Sequence, residues 1–501
     1  MRYVGFSEYY HDAALSIINE DGTIEFASHA ERYSKKKNDP IIPESLWSQT
    51  QDGDHYTFYE NIDHKKKHRV NYAKAAGYSH HKGNSIRAHE EIPVYESLVY
   101  DSYYDHHQTH CAGAFFTRPW SDRETTVMVS IDGVGEYQTA VILDHNFNLI
   151  KEWQYPKSVG LVYTSVTKEL GLRPLEDEYV VMGLSSYGEA PDEIVDWLID
   201  WWENTDDLCL EVERGLVLDD SQNAGDSYRR YSMMKGKIKY WKTVYSHEEI
   251  AAGTQKFAEY AIMQIMNIAR QYGSKLVYSG GCAQNVVVNS MVHALFDDVH
   301  IAVSPTDAGS SLGAAAMSWS KATGKDQLIW TPYLGYNIDR EVNPREVVDH
   351  LLDKRVCGLA NGRAEFGPRA LGNRSLIADV RYDVKDTVNE IKRRQKYRPF
   401  APAILEEFAD QYFDGPMNEY MQFTSTALHD YSSVTHVDGT ARVQIVRKDC
   451  QSVFRKVIEE YYDRTGVPML LNTSLNIRGR PMVNDIHDAE LFEQKYNVKV
   501  F

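Results

Sequence analysis

Apolar residues arrive in short runs at the start of the chain, broken by loops rich in glycine and acid. "RYVGFSEYYHDAALSIINEDGTIEFASHAERYSKK" reads as strand, loop, strand, Asp-Gly turn and strand, and its first loop carries His11 and Asp12. The design recurs in "ETTVMVSIDGVGEYQTAVILDHNFNLIKEWQYP", whose loop is Asp132-Gly133-Val134-Gly135-Glu136. Two hairpins of one design predict an internally duplicated α/β domain with both loops at a shared cleft. From Ser246, "SHEEIAAGTQKFAEYAIMQIMNIARQYG" places its apolar residues at helical spacing, with Ser246 and Glu249 set as a capping box.

Two strand-loop-helix units follow. In "SKLVYSGGCAQNVVVNSMVHALF", Gly280 and Gly281 end a strand and open a helix, a turn that offers backbone N–H groups to a phosphate or nucleotide. In "VHIAVSPTDAGSSLGAAAMSW", a helix after Asp307 starts among small residues, so something approaches it closely. Lys321 to about Arg345 has no clear period and reads as a linker, and a second domain begins near Val347. The polar, aromatic stretch Asn38–Ser102 reads as a long insertion, and its "HKKKH" run as a solvated face.

Composition narrows the classes. A chain of 501 residues with 43 % hydrophobic residues is that of a soluble globular protein of at least two domains. No apolar run approaches the ~18 residues of a membrane span, and the N-terminal stretch lacks a signal-peptide layout, so the expected location is the cytoplasm. Lys+Arg of 54 against Asp+Glu of 72 gives a charge of −18, which argues against nucleic acid or a membrane as partner. Five scattered cysteines fit a reducing compartment. The oligomeric state stays open, with a homodimer among the states allowed.

Against that acidic background, candidate chemistry concentrates in two places. In "YDHHQTHCAGAFF", His106 and His110 share one face if the segment is helical, which suits either one bound ion or two core histidines. In the second domain, "GRAEFGPRALGNRS", "NEIKRRQKYRPFAPAIL" and "HVDGTARVQIVRK" collect Arg369, Arg374, Lys392, Arg393, Arg394, Arg398 and Arg442. Arg393, Arg394 and Lys396 read as a solvated helix face. Arg369 and Arg398 sit in rigid proline contexts suited to bidentate phosphate recognition. "PMLLNTSLNIRGRPMV" adds a strand and a polar loop, Asn472-Thr473-Ser474-Leu475-Asn476.

These stretches, with "AERYSKKKND", "HHQTHCAGAF", "VMGLSSYG", "SGGCAQNVVVN", "TDAGSSLGAA", "EFGPRALGNRSLIADVR" and "GVPMLLNTSLN", resemble the O-carbamoyltransferases of the nodulation-factor and antibiotic-tailoring type, the NodU/CmcH family. The resemblance implies a duplicated actin/hexokinase-like (ASKHA) domain over residues 1–335 and a YrdC-like α/β domain over 346–501. It implies two steps: carbamoyl phosphate and ATP, with Mg2+, give carbamoyl adenylate, and the carbamoyl group then passes to a hydroxyl of a small acceptor such as a sugar, nucleoside or natural product. By motif, it makes His106, His110 and Asp307 ligands of Fe2+ or another divalent ion, and His11 the general base. Asp12, Asp132 and Glu136 would line the same cleft. Gly280, Gly281 and Asn285 would contact the nucleotide, and Arg369, Lys392, Arg398, Arg442, Ser474 and Asn476 the carbamoyl phosphate and ATP.

The chain departs from the family pattern at Val180, where relatives carry lysine, at Gln395, where a carboxylate is usual, and at Leu475, where phenylalanine is usual. Two other readings stay open: a threonylcarbamoyl transferase acting on tRNA, and a non-catalytic nucleotide-binding regulatory module. Acceptor choice is expected in Asn38–Ser102 and Trp201–Lys242, which carry no readable motif.

Overall fold

The computed structural model describes residues 1–65, 99–204 and 234–501; parts of both acceptor segments, 66–98 and 205–233, lie outside the described residues. Contacts divide the chain into two units. The first holds Met1–Tyr9, Ile18–Gly22 and Asp52–Leu328, and the second holds Tyr10–Ile17, Thr23–Gln51 and Ile329–Phe501. Both are built from mixed α/β sheets. Among the described residues, no helix is long and apolar enough to cross a membrane.

The N-terminal stretch forms three strands as expected, β1 (Arg2–Ser7), β2 (Ala14–Asn19) and β3 (Ile24–His29). Gly22, at φ 101°, closes the turn after β2 by donating to the carbonyl of Asn19. In the first unit β1 pairs in parallel with β4 (His55–Phe58), which pairs in parallel with β5 (Ser102–Tyr103). The second hairpin is an antiparallel meander of β6 (Thr126–Ile131), β7 (Gln138–Leu143) and β8 (Leu149–Gln154). β6 continues in parallel to β9 (Lys275–Ser279), and β9 to β10 (Asp298–Ile301). Every residue of β6 and β7 is buried, the state that their near-continuous apolar runs require.

The capping box forms with both bonds: the Ser246 hydroxyl accepts from the Glu249 N–H (3.2 Å) and the Glu249 carboxylate accepts from the Ser246 N–H (2.8 Å). It starts a helix of 23 residues, His247–Ala269. Two further helices set the geometry of the unit: a histidine helix, His106–Phe115, and an aspartate helix, Asp307–Thr323. Glycine lets them touch. A Cβ on Gly313 would lie 1.8 Å from the carbonyl oxygen of Thr109, one on Gly113 3.1 Å from that of Gly309, and one on Gly5 of β1 1.9 Å from that of Ser311. The small residues after Asp307 therefore admit the histidine helix on one side and β1 on another.

In the second unit the stretch read as a linker contains β11 (Tyr333–Ile338), which pairs antiparallel with β13 (Gly362–Glu365). A register shift between Tyr333 and Asn337 breaks the alternation that would have marked it. The main sheet runs β12 (Val356–Ala360), β14 (Arg374–Ala378), β20 (Met469–Ser474), β15 (Ala401–Leu405) and β19 (Gln444–Val446) in spatial order. Alternate residues feed two cores. Cys357, Leu359, Ile377 and Leu470 pack against helices Pro344–Lys354 and Val453–Thr465, while Val356, Leu376 and Leu471 share the other face with Phe492 and Val500. A small sheet of β16 (Phe413–Asp414), β17 (Ser425–Ala427) and β18 (Thr440–Ala441) completes the unit.

Arg374, one of the sequence's candidate cations, is structural. It is fully buried and donates to the carbonyls of Tyr336, Asn361, Gly362, Asn373 and Asn484 at 2.8–3.2 Å. The Asn472–Asn476 stretch is strand through Ser474, because Thr473 and Ser474 pair with Leu376 and Ser375 and the Asn472 amide donates to Ala370 and Gln444.

Two outcomes follow for stability. Gly313→Ala forces a Cβ into the Thr109 carbonyl and should cost about 1–3 kcal/mol, whereas Gly183→Ala, in the helix Glu178–Leu184 with nothing within 4 Å of the added Cβ, should gain up to about 1 kcal/mol; urea melts of the two variants check the contrast. Burial, and secondly Arg118, push the pKa of His300 down to about 4, so the unfolded chain binds a proton that the folded chain refuses. Stability should fall by about 3 kcal/mol as pH drops from 6.5 to 4, and His300→Gln, which keeps a partner for Thr117, should flatten that acid limb in melts run across the window.

Candidate metal centre and arginine cluster

The histidine helix starts at His106, and its N-cap Asp105 makes no side-chain cap bond. Glu136, from the loop after β6, takes that role: its Oε1 accepts the backbone N–H of His106 (2.9 Å) and of Asn61 (2.8 Å). The loop reaches His106 because Gly135 has no side chain; a Cβ there would lie 2.8 Å from the imidazole Cδ2. Glu136 thus supports the helix that carries the histidines, rather than standing beside them.

One turn apart, His106 and His110 bring their Nε2 atoms to 3.1 Å from each other. Asp132 Oδ2 lies 3.4 Å and 3.0 Å from these two nitrogens, and Asp307 Oδ1, from the first turn of the aspartate helix, lies 3.7 Å and 3.3 Å from them. Donor atoms about 2.0–2.2 Å from one ion are roughly 2.8–3.6 Å apart, so the four residues form a set that can hold a divalent cation. All four ligand atoms fall within 4.8 Å of one another. Asp132 joins the three residues the motifs singled out; its place at the mouth of a strand, followed by Gly133, was the available signal.

The electrostatics agree with a site that attracts positive charge. Burial alone would lower the pKa of His106, but the Asp307, Asp132 and Glu60 carboxylates raise it well above the ordinary value. His110 is raised in the same way against burial, by Asp132 and Asp307. Burial would raise Asp132, yet the two imidazoles hold it far below the carboxylate range. His107 is different: burial, then the charge of His106, pushes it down to about 3, and its nitrogens contact Ser130 Oγ (2.8 Å) and the Gln138 carbonyl (3.0 Å). Its Nε2–H therefore donates to Gln138, its Nδ1 accepts from Ser130, and neither nitrogen is left for an ion.

Gly280, at φ 89°, and Gly281 let the neighbouring strand end approach: added Cβ atoms would lie 2.3 Å from the Ile131 oxygen and 2.8 Å from Asp132 Oδ1. Asn285 caps helix Val286–His293 by accepting from the Val288 N–H and exchanges side-chain hydrogen bonds with Gln255. His11 and Asp12, in the second unit, pair at 3.4 Å on a loop where Tyr9 and Asp12 both take positive φ. Burial would raise Asp12, but its bond to His11 and the charges of His11, Lys37 and His29 bring it to about 2.

In the second unit, Arg442 lies among cations. Burial first, then the charges of Arg369, Arg394 and Arg398, push its pKa far below the ordinary guanidinium value. The helix Lys385–Ile391 ends before Arg393 and Arg394, so Arg394 is no solvated helix residue: it donates to Asn389 (2.6 Å) and Pro399 (3.1 Å) and covers the Phe400 ring at 4.1 Å. Lys392 is 4 % exposed, and its ammonium donates to the Oγ and carbonyl of Ser474 and to the Oδ1 and carbonyl of Asn476. The structure thus brings Lys392, Ser474 and Asn476 together through hydrogen bonds to one another.

The family descriptions "Carbamoyltransferase N-terminus" and "Carbamoyltransferase C-terminus" match residues 2–316 and 348–501. An uncharacterized protein of Methanocaldococcus jannaschii is 30 % identical over 96 % of this chain and 94 % of its own length. Nodulation protein NolO of Bradyrhizobium diazoefficiens is 30 % identical over 77 % of this chain and 75 % of its own. The 3'-hydroxymethylcephem-O-carbamoyltransferase of Amycolatopsis lactamdurans is 27 % identical over 96 % of this chain and 94 % of its own.

The donor set predicts one divalent ion per chain. His110→Ala or Asp307→Asn should weaken Mn2+ or Co2+ binding by more than about 100-fold, beyond what loss of a merely supporting residue costs, as read by calorimetry. Binding should also weaken as pH falls, because both imidazoles must give up protons to become ligands.

Proposed function

Because the chain belongs to the carbamoyltransferase family and is a transferase, we propose that it is an ATP-dependent O-carbamoyltransferase that acts on a small hydroxylated acceptor in two steps. The observation that carries the proposal is the arginine cluster. Burial first, and then three neighbouring guanidiniums, depress the pKa of Arg442, an environment that favours a bound anion, and substrates rich in phosphate oxygens supply one. With this goes the finer reading of the fold: an ASKHA-type transfer domain over 1–335 and a YrdC-like domain over 346–501.

In the first step, water releases phosphate from carbamoyl phosphate and leaves carbamate. A carbamate oxygen then attacks the α-phosphorus of Mg2+-bound ATP, giving carbamoyl adenylate and expelling pyrophosphate. Arg369, Arg398 and Arg442 neutralise the phosphate charge, and Lys392 holds Ser474 and Asn476 in position to orient the substrate. In the second step the acceptor hydroxyl attacks the carbamoyl carbon, the carbamate ester forms, and AMP leaves. His11 takes the hydroxyl proton, and the Asp12 carboxylate facing its Nδ1 stabilises the imidazolium.

His106, His110, Asp132 and Asp307 would hold Fe2+ or another divalent ion, which when bound supplies a Lewis acid to polarise the carbamoyl carbonyl. The acceptor class follows the relative whose name specifies a hydroxymethyl group as the site of O-carbamoylation.

Pyrophosphate release from ATP, measured with and without carbamoyl phosphate, tests the scheme before any acceptor is known. The wild type should release pyrophosphate only when carbamoyl phosphate is present. Arg398→Ala should lose that release by about 100-fold or more, while His110→Ala and His11→Asn retain most of it. Release that ignores carbamoyl phosphate, or none at all, contradicts the proposal.

A further inference from the structure

The end of β4 runs onto the start of the histidine helix and is fixed there at three points. The Tyr59 carbonyl accepts the Thr109 hydroxyl (3.0 Å), the Asn61 N–H donates to Glu136 (2.8 Å), and the Asn61 amide donates to Asp105 (2.8 Å). Between these anchors Glu60 is 2 % exposed. Its two carboxylate oxygens face different partners: Oε2 accepts from the ammonium of Lys65, itself 4 % exposed, and Oε1 lies 3.5 Å from Nδ1 of His106.

A buried Glu–Lys pair is a costly way to fill space. Desolvating two charges takes several kcal/mol per ion, and apolar residues of similar volume are often as good or better for stability. The pair therefore calls for an explanation in what the carboxylate does on its other side. There, His106 directs Nε2 toward His110, Asp132 and Asp307, while Nδ1 is buried and makes no other hydrogen bond. An imidazole that gives one nitrogen to a cation must carry its proton on the other, and a carboxylate facing that proton fixes both tautomer and ring orientation.

We propose that Glu60 is a positioning residue for the metal centre: its carboxylate takes the Nδ1–H of His106 and so commits Nε2 to the ion, and Lys65 holds that carboxylate in place. The inference rests on the reading of the four-residue cluster as a metal site. It requires the 3.5 Å contact to shorten by a few tenths of an ångström when Nε2 is engaged. No motif marked this residue, because Glu60 lies in the aperiodic Asn38–Ser102 stretch.

Titration of the full-length protein with Co2+, followed by the ion's visible absorption, tests the assignment. Glu60→Gln alone would leave the Lys65 charge buried without its partner, so the decisive variant is Glu60→Gln with Lys65→Met, which removes both charges. That double variant should bind Co2+ about 10–100-fold more weakly and with an altered absorption band, while its metal-free melting temperature stays close to the wild type's. Glu60→Asp should recover part of the affinity. Wild-type affinity and an unchanged band in the double variant would overturn the proposal. If the wild type and Asp307→Asn are alike in failing to bind Co2+, the metal-centre reading itself is wrong and this inference falls with it.

Discussion

The first unit depends on how closely two helices approach. The histidine helix and the aspartate helix meet where Gly113 and Gly313 leave room, and backbone oxygens of Gly309 and Thr109 crowd the positions that side chains there would claim. That contact fixes Asp307, at the first turn of one helix, against His106 and His110, at the first two turns of the other, although about two hundred residues separate them in sequence. The packing and the chemistry are one constraint. A methyl group added at the crossing would move a candidate ligand as well as destabilise the core, because close-packed interiors pass displacement on rather than absorb it.

Charge is arranged oppositely in the two units. In the first, carboxylates surround two imidazoles and draw positive charge inward; in the second, guanidiniums collect around Arg442 and draw negative charge. A chain of net charge −18 has no general affinity for phosphate; under the proposed function the half-buried arginines around Arg442 are the local device for holding it. Arg374 shows that not every buried arginine belongs to that device, since its donors are spent on backbone carbonyls.

Much of this was legible from residue pattern alone. Both three-stranded runs, the Ser246–Glu249 capping box and the shared face of His106 and His110 followed from periodicity. What pattern missed has physical reasons. β11 carries a register shift that breaks its alternation, and Asn472–Ser474 hides a strand behind polar side chains that hydrogen-bond inside the fold. Arg394 follows a helix that stops earlier than its polar composition suggested. Asp132 was visible as a loop acid, but its place among the ligand atoms depends on Gly281 and on how β6 and β9 pair, which is tertiary information.

Under the proposed function the protein spends ATP at its α-phosphorus to make a carbamoyl adenylate. Phosphorus NMR of a reaction holding ATP, carbamoyl phosphate and Mg2+, run with His11→Asn to hold back transfer, reads this directly. Equal amounts of phosphate and pyrophosphate should form, together with a mixed-anhydride phosphorus resonance that collapses to that of AMP on hydrolysis. Formation of ADP, the product of attack at the γ-phosphorus, would contradict the proposal.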